Sequence, residues 1–291
     1  NISSIRLIDL EEKTVTMQAS LAATGDKPSI INWTVDENQD MIISRDLGKD
    51  GNVNVLKTRA SEFKSEVKLG NSKQQAVVGA FVHPQTGSIY YTLYKDQSIY
   101  EYKFEDKTTN VIASHPRVKE TLRMVVHPTG KYAYLLRQYN ERGNGYISRM
   151  DYNSTANQFT TPYIVAGSAS GSGYRDGVGS KVQMNGPTQG VFVKNPEYAG
   201  EQDEYDFYFC DERNHCIRIL TPTGRVVTFA GRGNDSSDPG FANGALRSEA
   251  RFAYPWALAY DEKRKCFYVG ERGMNRDGKE QAVIRKIAME E

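Results

Sequence analysis

The sequence predicts an all-β fold of repeated antiparallel sheets, four strands to each. Two recurring units point there, and so does an amino-acid usage suited to strands joined by tight turns. The first unit is clearest in Phe81-Val82-His83-Pro84-Gln85-Thr86-Gly87-Ser88-Ile89-Tyr90-Tyr91 and returns as Val125-Val126-His127-Pro128-Thr129-Gly130-Lys131-Tyr132-Ala133-Tyr134. Looser copies are Thr34–Ile43 and Ala259–Val269. Each is an apolar run, a turn of Pro, Gly or Asp, and a second apolar run, which is a hairpin. The second unit is Cys210–Leu220 followed by Thr221-Pro222-Thr223-Gly224 and Arg225–Gly231, read as strand, polar loop, strand, tight turn, strand. Its Ile217-Arg218 opening recurs at Ile5-Arg6 and Ile284-Arg285. The chain holds 18 Tyr, 11 Phe and 25 Gly against 7 Met, a balance that favours strands and turns over helices.

Joined, the two units give four strands in about 40–50 residues, the period of a propeller blade. Blades are expected at 29–70, 76–114, 121–167, 187–231 and 254–289. In the best-defined blade the strands fall at 77–82, 89–94, 98–104 and 109–113. Residues 1–19 match only the third and fourth strands of a blade, and the blade ending near Ala288 lacks its fourth. A segment ahead of Asn1 would make good both deficits and complete a six-bladed β-propeller of four-stranded antiparallel blades. The rival is a five-bladed ring closed by residues 1–19. Either way residues 1–291 form a single propeller domain, because one blade cannot bury both faces of its sheet and packing of neighbours does.

Charge narrows the partners. Lys and Arg total 37 and Asp and Glu 36, a formal net charge of +1. That balance provides no basic face for nucleic acid. No apolar run approaches the roughly 18 residues of a membrane span. The opening Asn1-Ile2-Ser3-Ser4-Ile5-Arg6 has no charged and apolar leader, so further sequence is expected ahead of it.

The repeats resemble the NHL family of propellers. Asn214-His215 followed by Ile217-Arg218, with Phe229-Ala230-Gly231, is the best copy of its repeat. Gly173-Tyr174-Arg175-Asp176-Gly177 with Met184-Asn185-Gly186-Pro187 resembles the family's linker between blades, and Gly240–Gly244 with Phe252-Ala253-Tyr254-Pro255 is a second. The match is specific over 167–291, whereas 29–166 lacks Asn-His. The linker phrasing is most similar to surface proteins of Bacteroidetes, in which a lipoprotein signal and a TIG domain precede the propeller. This resemblance implies the extracellular face of the outer membrane or the periplasm, with membrane attachment only through an upstream lipid anchor.

Candidate chemistry comes from the repeat alignment. It places Arg45, Tyr94, Arg137, Asp211 and Glu271 at equivalent second-strand ends, and Asn32, Arg123, Gln189 and Trp256 where first strands begin. Both sets would border one mouth of a propeller's channel. Arg forks to carboxylates and aromatic faces stack on sugars, so these residues form the candidate ligand-binding site. The plainer reading is that the charges pair with one another around a solvated channel. The implied function is a non-catalytic module that binds a glycan or protein. A lyase or hydrolase at the channel mouth and an adhesion spacer are the alternatives.

No cofactor and no metal are expected. His83 and His127 each precede Pro in equivalent turns, His115 precedes Pro116 in a linker, and His215 is read as bracing its own blade, so no three histidines converge. Asp46, Asp50, Gly51 and Asn52 lack the alternating ligand spacing of a calcium loop, and Asp235–Asp238 reads as a plain loop. Cys210 and Cys216 flank a hairpin loop and could face each other across it, although free thiols are the favoured reading, with Cys266 buried in the equivalent strand.

Overall fold

The structure is a computed structural model. It describes residues 3–9, 14–21, 29–35, 41–46, 53–59, 62–69, 77–93, 96–103, 105–119, 121–137, 145–232, 238–274 and 280–288. Two compact units divide the chain: Asn1–Ala133 with Met150–Pro162, and Tyr134–Arg149 with Tyr163–Glu291.

In the first unit, β1 (Ser3–Asp9) and β2 (Thr14–Leu21) form a two-stranded antiparallel sheet of their own. Next comes a four-stranded meander of β3 (Ser29–Val35), β4 (Met41–Asp46), β5 (Val53–Arg59) and β6 (Glu62–Leu69). A second meander follows with β7 (Val77–Val82), β8 (Ile89–Leu93), β9 (Ser98–Tyr102) and β10 (Thr109–Ser114). The expected strands of this blade are therefore present within a residue or two.

The turn between β7 and β8 shows why the sequence folds as it does. Gly87 adopts φ +67°, a conformation that costs an L side chain and suits glycine. His83 Nε2 donates to the Gly130 carbonyl at 3.0 Å, and Gln85 Nε2 donates to Thr129 O at 2.8 Å, so the two His-Pro turns are bonded to each other. Behind them His83, Phe81, Tyr90, Tyr152 and Phe159 pack as an aromatic cluster, with His83 and Tyr152 centroids 4.1 Å apart. Tyr90 donates to buried Glu101 at 2.9 Å.

The strands β11 (Thr121–Val126), β12 (Tyr132–Arg137), β13 (Gly145–Asn153), β14 (Gln158–Phe159) and β15 (Tyr163–Ser168) continue the hairpin pattern. In the first unit Tyr152 pairs with Phe159, and in the second Gly145–Arg149 pairs with β15.

The second unit holds the most complete sheet. β17 (Pro187–Lys194), β18 (Tyr205–Asp211), β19 (Cys216–Leu220) and β20 (Arg225–Gly231) run antiparallel in order. The short linker strand β16 (Gly177–Val178) adds to the far side of β20. The following sheet has three strands, β21 (Pro255–Asp261), β22 (Cys266–Met274) and β23 (Glu280–Ala288). Between these two sheets lies an apolar core of Tyr208, Cys210, Ile217, Ala230, Phe252, Leu258, Phe267, Val269 and Ile287. Facing sheets bury what neither buries alone, as repeat architecture requires.

Candidate functional site

Ladder register fixes which residues are equivalent. Ile30 pairs with Arg45, Val77 with Leu93, Pro187 with Asp211, and Pro255 with Glu271, each just before a β-bulge in the first strand. Leu93, buried and apolar, therefore occupies the position assigned from sequence to Tyr94, which lies outside the described residues. Arg45 and Arg137 sit at the ends of β4 and β12, and Asn32 sits in β3 just after its bulge. Arg123 lies in β11, where burial pulls its guanidinium pKa down to about 10, still charged at neutral pH.

The structure corrects the role of Asp211 and Glu271. Both are buried and consumed by internal contacts, so neither faces a ligand. Asp211 accepts from the Asn185 amide at 2.7 Å, Asn214 Nδ2 at 2.8 Å and Arg218 Nη1 at 2.9 Å. Glu271 accepts from the Ala253 amide at 2.6 Å and pairs with Arg285 Nη1 at 3.3 Å. Burial raises both carboxyl pKa values, opposed in each by the neighbouring guanidinium and amide. Their partners are Arg218 and Arg285, which were not among the residues expected around the channel mouth.

The partners belong to a device the sequence showed only as a repeat. Arg218 also donates to Gln183 O at 2.7 Å, Arg175 O at 2.8 Å and Asp176 Oδ1 at 2.8 Å. Arg285 donates to Arg251 O at 2.6 Å, Ala242 O at 2.7 Å and Asn243 Oδ1 at 2.7 Å. Each arginine thus clasps the linker that leads into the first strand of its own sheet. Ile-Arg recurs because this clasp recurs. Its signal was in the sequence, in the pairing of Ile-Arg with Asp176-Gly177 and Asn243-Gly244.

His215 is likewise a linker contact. It takes a left-handed conformation, φ +55°, accepts through Nδ1 from the Tyr254 amide at 3.3 Å, and stacks edge-on against Tyr254. It braces the approach to β21, rather than only its own blade. Burial, with Arg232 and Arg251 nearby, pulls its pKa to about 4.

The cysteines face apart. Cys210 pairs with Ile217 and Cys216 with Asp211, so they stand one position out of register and on opposite faces of the sheet. All three cysteines are free and buried. Burial pushes the Cys210 and Cys216 thiols up, which makes them inert. His115 caps a short 3-10 turn by accepting from the Arg117 amide. His127 bonds Thr129 within its own turn, and no cluster of metal-ligating side chains occurs among the described residues. Positions 50–52 and 235–237 lie outside the described residues.

Two of the candidate residues, Trp256 and Gln189, lie in equivalent bulges. Trp256 occupies the bulge of β21 and is only half-buried. Thr188, in the equivalent bulge of β17, donates its hydroxyl to the Trp256 carbonyl at 3.0 Å, and Gln189 follows it in that bulge, half-buried. The exposed Arg272, missed from sequence, lies with its guanidinium carbon 5.5 Å from the Trp256 ring centroid, within cation–π range. An aromatic face, an amide and a cation here share one part of the second unit. These groups can stack on and hydrogen-bond a polar ring, and they include no nucleophile paired with a base.

Comparison with solved structures then decides the fold. A chain from Bacteroides ovatus, described as an auxiliary nutrient binding protein, is 39% identical with TM-score 0.82 over 99% of this chain and 64% of its own. A Bacteroides thetaiotaomicron protein of the same description is 38% identical with TM-score 0.79, over 97% of this chain and 63% of its own. Virginiamycin B lyase from Staphylococcus aureus, 14% identical with TM-score 0.56, covers 98% of this chain and 77% of its own and shows the fold alone. The fold is an all-β propeller. This chain spans under two thirds of the length of the two Bacteroides proteins. No protein-family model matches the chain, and no curated protein matches it either.

Proposed function

We propose that this propeller is a non-catalytic binding module of a Bacteroides-type nutrient-capture protein, and that its ligand is a glycan. The observation that carries the reading is the Trp256 platform, half-open and flanked by Arg272. Aromatic faces contribute about 0.5–1.5 kcal/mol when they stack, with polar groups on the rim fixing orientation. The names of the two Bacteroides proteins support capture rather than chemistry. On the same reading the repeats are of NHL type, the intact propeller has six blades, and the protein is anchored upstream at the cell surface or in the periplasm.

The test is a glycan array followed by calorimetry on residues 1–291. Trp256→Ala is expected to weaken the best glycan by about 10-fold, equivalent to 1.4 kcal/mol. Arg272→Ala should cost less and, as an exposed position, should hardly move melting. Glycan binding that ignores Trp256, or no binding across the array, overturns the reading.

A further inference from the structure

Asn243-Gly244 stands in the linker ahead of β21, within the Arg285 clasp. Both residues are exposed, as are Phe241, Ala242 and Ala245 around them. Arg285 Nη2 donates to Asn243 Oδ1 at 2.7 Å, a charge-assisted bond that draws electrons from the carboxamide carbon. Asn243 Nδ2 and the Gly244 amide make no hydrogen bond among the described residues. Gly244 holds φ +141°, and an added Cβ would strike the Glu249 carboxylate, so the loop requires a bare glycine there. The side-chain carbonyl is thus polarised, its NH2 is unheld, and the backbone nitrogen that follows carries neither a bond nor a bulky neighbour. The same dipeptide in the other linker, Asn185-Gly186, is placed differently. The Asn185 amide donates to Asp211, its carbonyl accepts from the Arg213 amide at 2.9 Å, and the carbonyl of buried Gly186 accepts from the Glu212 amide at 2.9 Å. The counterpart of Asn243 in that linker is Asp176, whose carboxylate takes Arg218 and Thr228, and Gly177 after it pairs with Val226.

We propose that Asn243 is a site of spontaneous covalent modification, at which the Arg285 clasp promotes conversion of the asparagine to aspartate or isoaspartate. The Gly244 nitrogen gives its proton to hydroxide and attacks Asn243 Cγ. As the N–Cγ bond forms, the carbonyl electron pair moves onto Oδ1, where the guanidinium stabilises the developing oxyanion. Collapse breaks the Cγ–Nδ2 bond, the nitrogen takes up a proton and leaves as ammonia, and a five-membered succinimide remains. Water then adds to either ring carbonyl. Opening at the side-chain carbonyl gives aspartate, and opening at the main-chain carbonyl gives isoaspartate. In sum one water is consumed and one ammonia released, with no oxidant and no cofactor. The aspartate product gives Arg285 a second carboxylate beside Glu271, which is the composition Arg218 already has in Asp211 and Asp176. The isoaspartate product adds a methylene to the main chain inside the clasp, so that the Ala242 carbonyl and the side chain at 243 no longer meet Arg285 together.

The test incubates the folded protein at mildly alkaline pH in water enriched in heavy oxygen. Peptides spanning positions 185 and 243 are followed by mass spectrometry, and by chromatography that separates isoaspartate from aspartate. Position 243 is expected to exchange its NH2 for a labelled oxygen at least about 10-fold faster than position 185, and the two rates should converge in concentrated urea, where neither dipeptide is held. Arg285→Gln, with folding checked by its urea midpoint, should slow conversion at 243 by about 3-fold or more and leave 185 unchanged. Arg285→Lys, which keeps a cationic donor, should restore part of the rate. Asn243→Asp supplies the standard for the aspartate product. Equal rates at the two positions in the folded protein overturn the proposal. A rate at 243 that climbs in step with the unfolded fraction also overturns it, because unfolding and not the clasp would then expose the site. If Arg285→Gln leaves the rate at 243 unchanged or raises it, the guanidinium does not promote the step and the proposal falls.

Discussion

The clasp around Arg218 and the clasp around Arg285 use the same parts and differ in how completely they are enclosed. Both arginines take two linker carbonyls, one linker side chain and one carboxylate from the second strand. In the first, β20 closes the site and the Arg218 side chain is 0% exposed; in the second no described strand lies beyond β23, and the Arg285 side chain is 14% exposed. The Arg218–Asp211 contact is 2.9 Å and the Arg285–Glu271 contact 3.3 Å. One motif therefore gives a buried charge network in one sheet and a partly solvated one in the next. Enclosure and the second carboxylate, Asp176 where the other clasp has Asn243, together set what the arginine contributes.

Truncating each arginine is the strongest way to break that comparison. Arg218→Ala leaves Asp211 as an uncompensated buried carboxylate and should cost about 3–5 kcal/mol, as breaking a buried pair does. Arg285→Ala should cost about 1–2 kcal/mol, because water reaches the site and replaces part of what is lost. Urea midpoints of the two variants read the difference directly. Equal losses would mean that enclosure by the fourth strand contributes nothing.

How much of this was legible beforehand follows from the reach of each signal. Hairpins such as Phe81–Tyr91 declare themselves locally, since the apolar alternation and the Pro and Gly of the turn lie within about ten residues. The site was harder. Asp211 looked like a channel-mouth charge although Asn214 and Arg218 lie only 3 and 7 residues away, because what completes the network is remote: Asn185 lies 26 residues from Asp211 and Asp176 lies 42 from Arg218. Sequence alignment set Tyr94 against Asp211, whereas the bulges between Val77 and Gly79 and between Pro187 and Gly190 make Leu93 the true counterpart. A bulge shifts register by one residue without altering composition, so no pattern of residue types announces it. Trp256 and Gln189, placed from sequence at first-strand entries, do fall in equivalent bulges near the starts of β21 and β17.

His215 sharpens the comparison, since it ties the enclosed sheet to the linker of the open one. Its folded pKa of about 4 lies below the ordinary 6.5, chiefly through burial. Between those values the unfolded chain gains a proton that the folded chain resists. The histidine's contribution is therefore full above pH 6.5 and lost as pH falls through 4, a change of about 3 kcal/mol. Asp211 and Glu271 act oppositely, because burial raises their folded pKa values and their contribution is lost as pH rises. His215→Asn, which tolerates the left-handed backbone, should flatten the acid side of the stability profile between pH 6.5 and 4. A variant with an unchanged profile would place the acid sensitivity elsewhere.

The smallest effect tests enclosure at the linker residue itself. Asp176 uses both oxygens: Oδ1 takes Arg218 and the Thr228 hydroxyl, and Oδ2 takes the Thr228 amide. Asp176→Asn turns one of these acceptors into a donor facing an N–H, a mismatch worth about 1–2 kcal/mol where the fourth strand is in place. Asn243 meets Arg285 at 2.7 Å and is exposed, as Asp176 itself is, but no described strand pairs beyond β23 there. Asn243→Asp adds a charge beside a guanidinium but in water, where such pairs contribute about 0–1 kcal/mol. The reciprocal exchanges should therefore be unequal, with Asp176→Asn clearly destabilising in a urea titration and Asn243→Asp close to neutral.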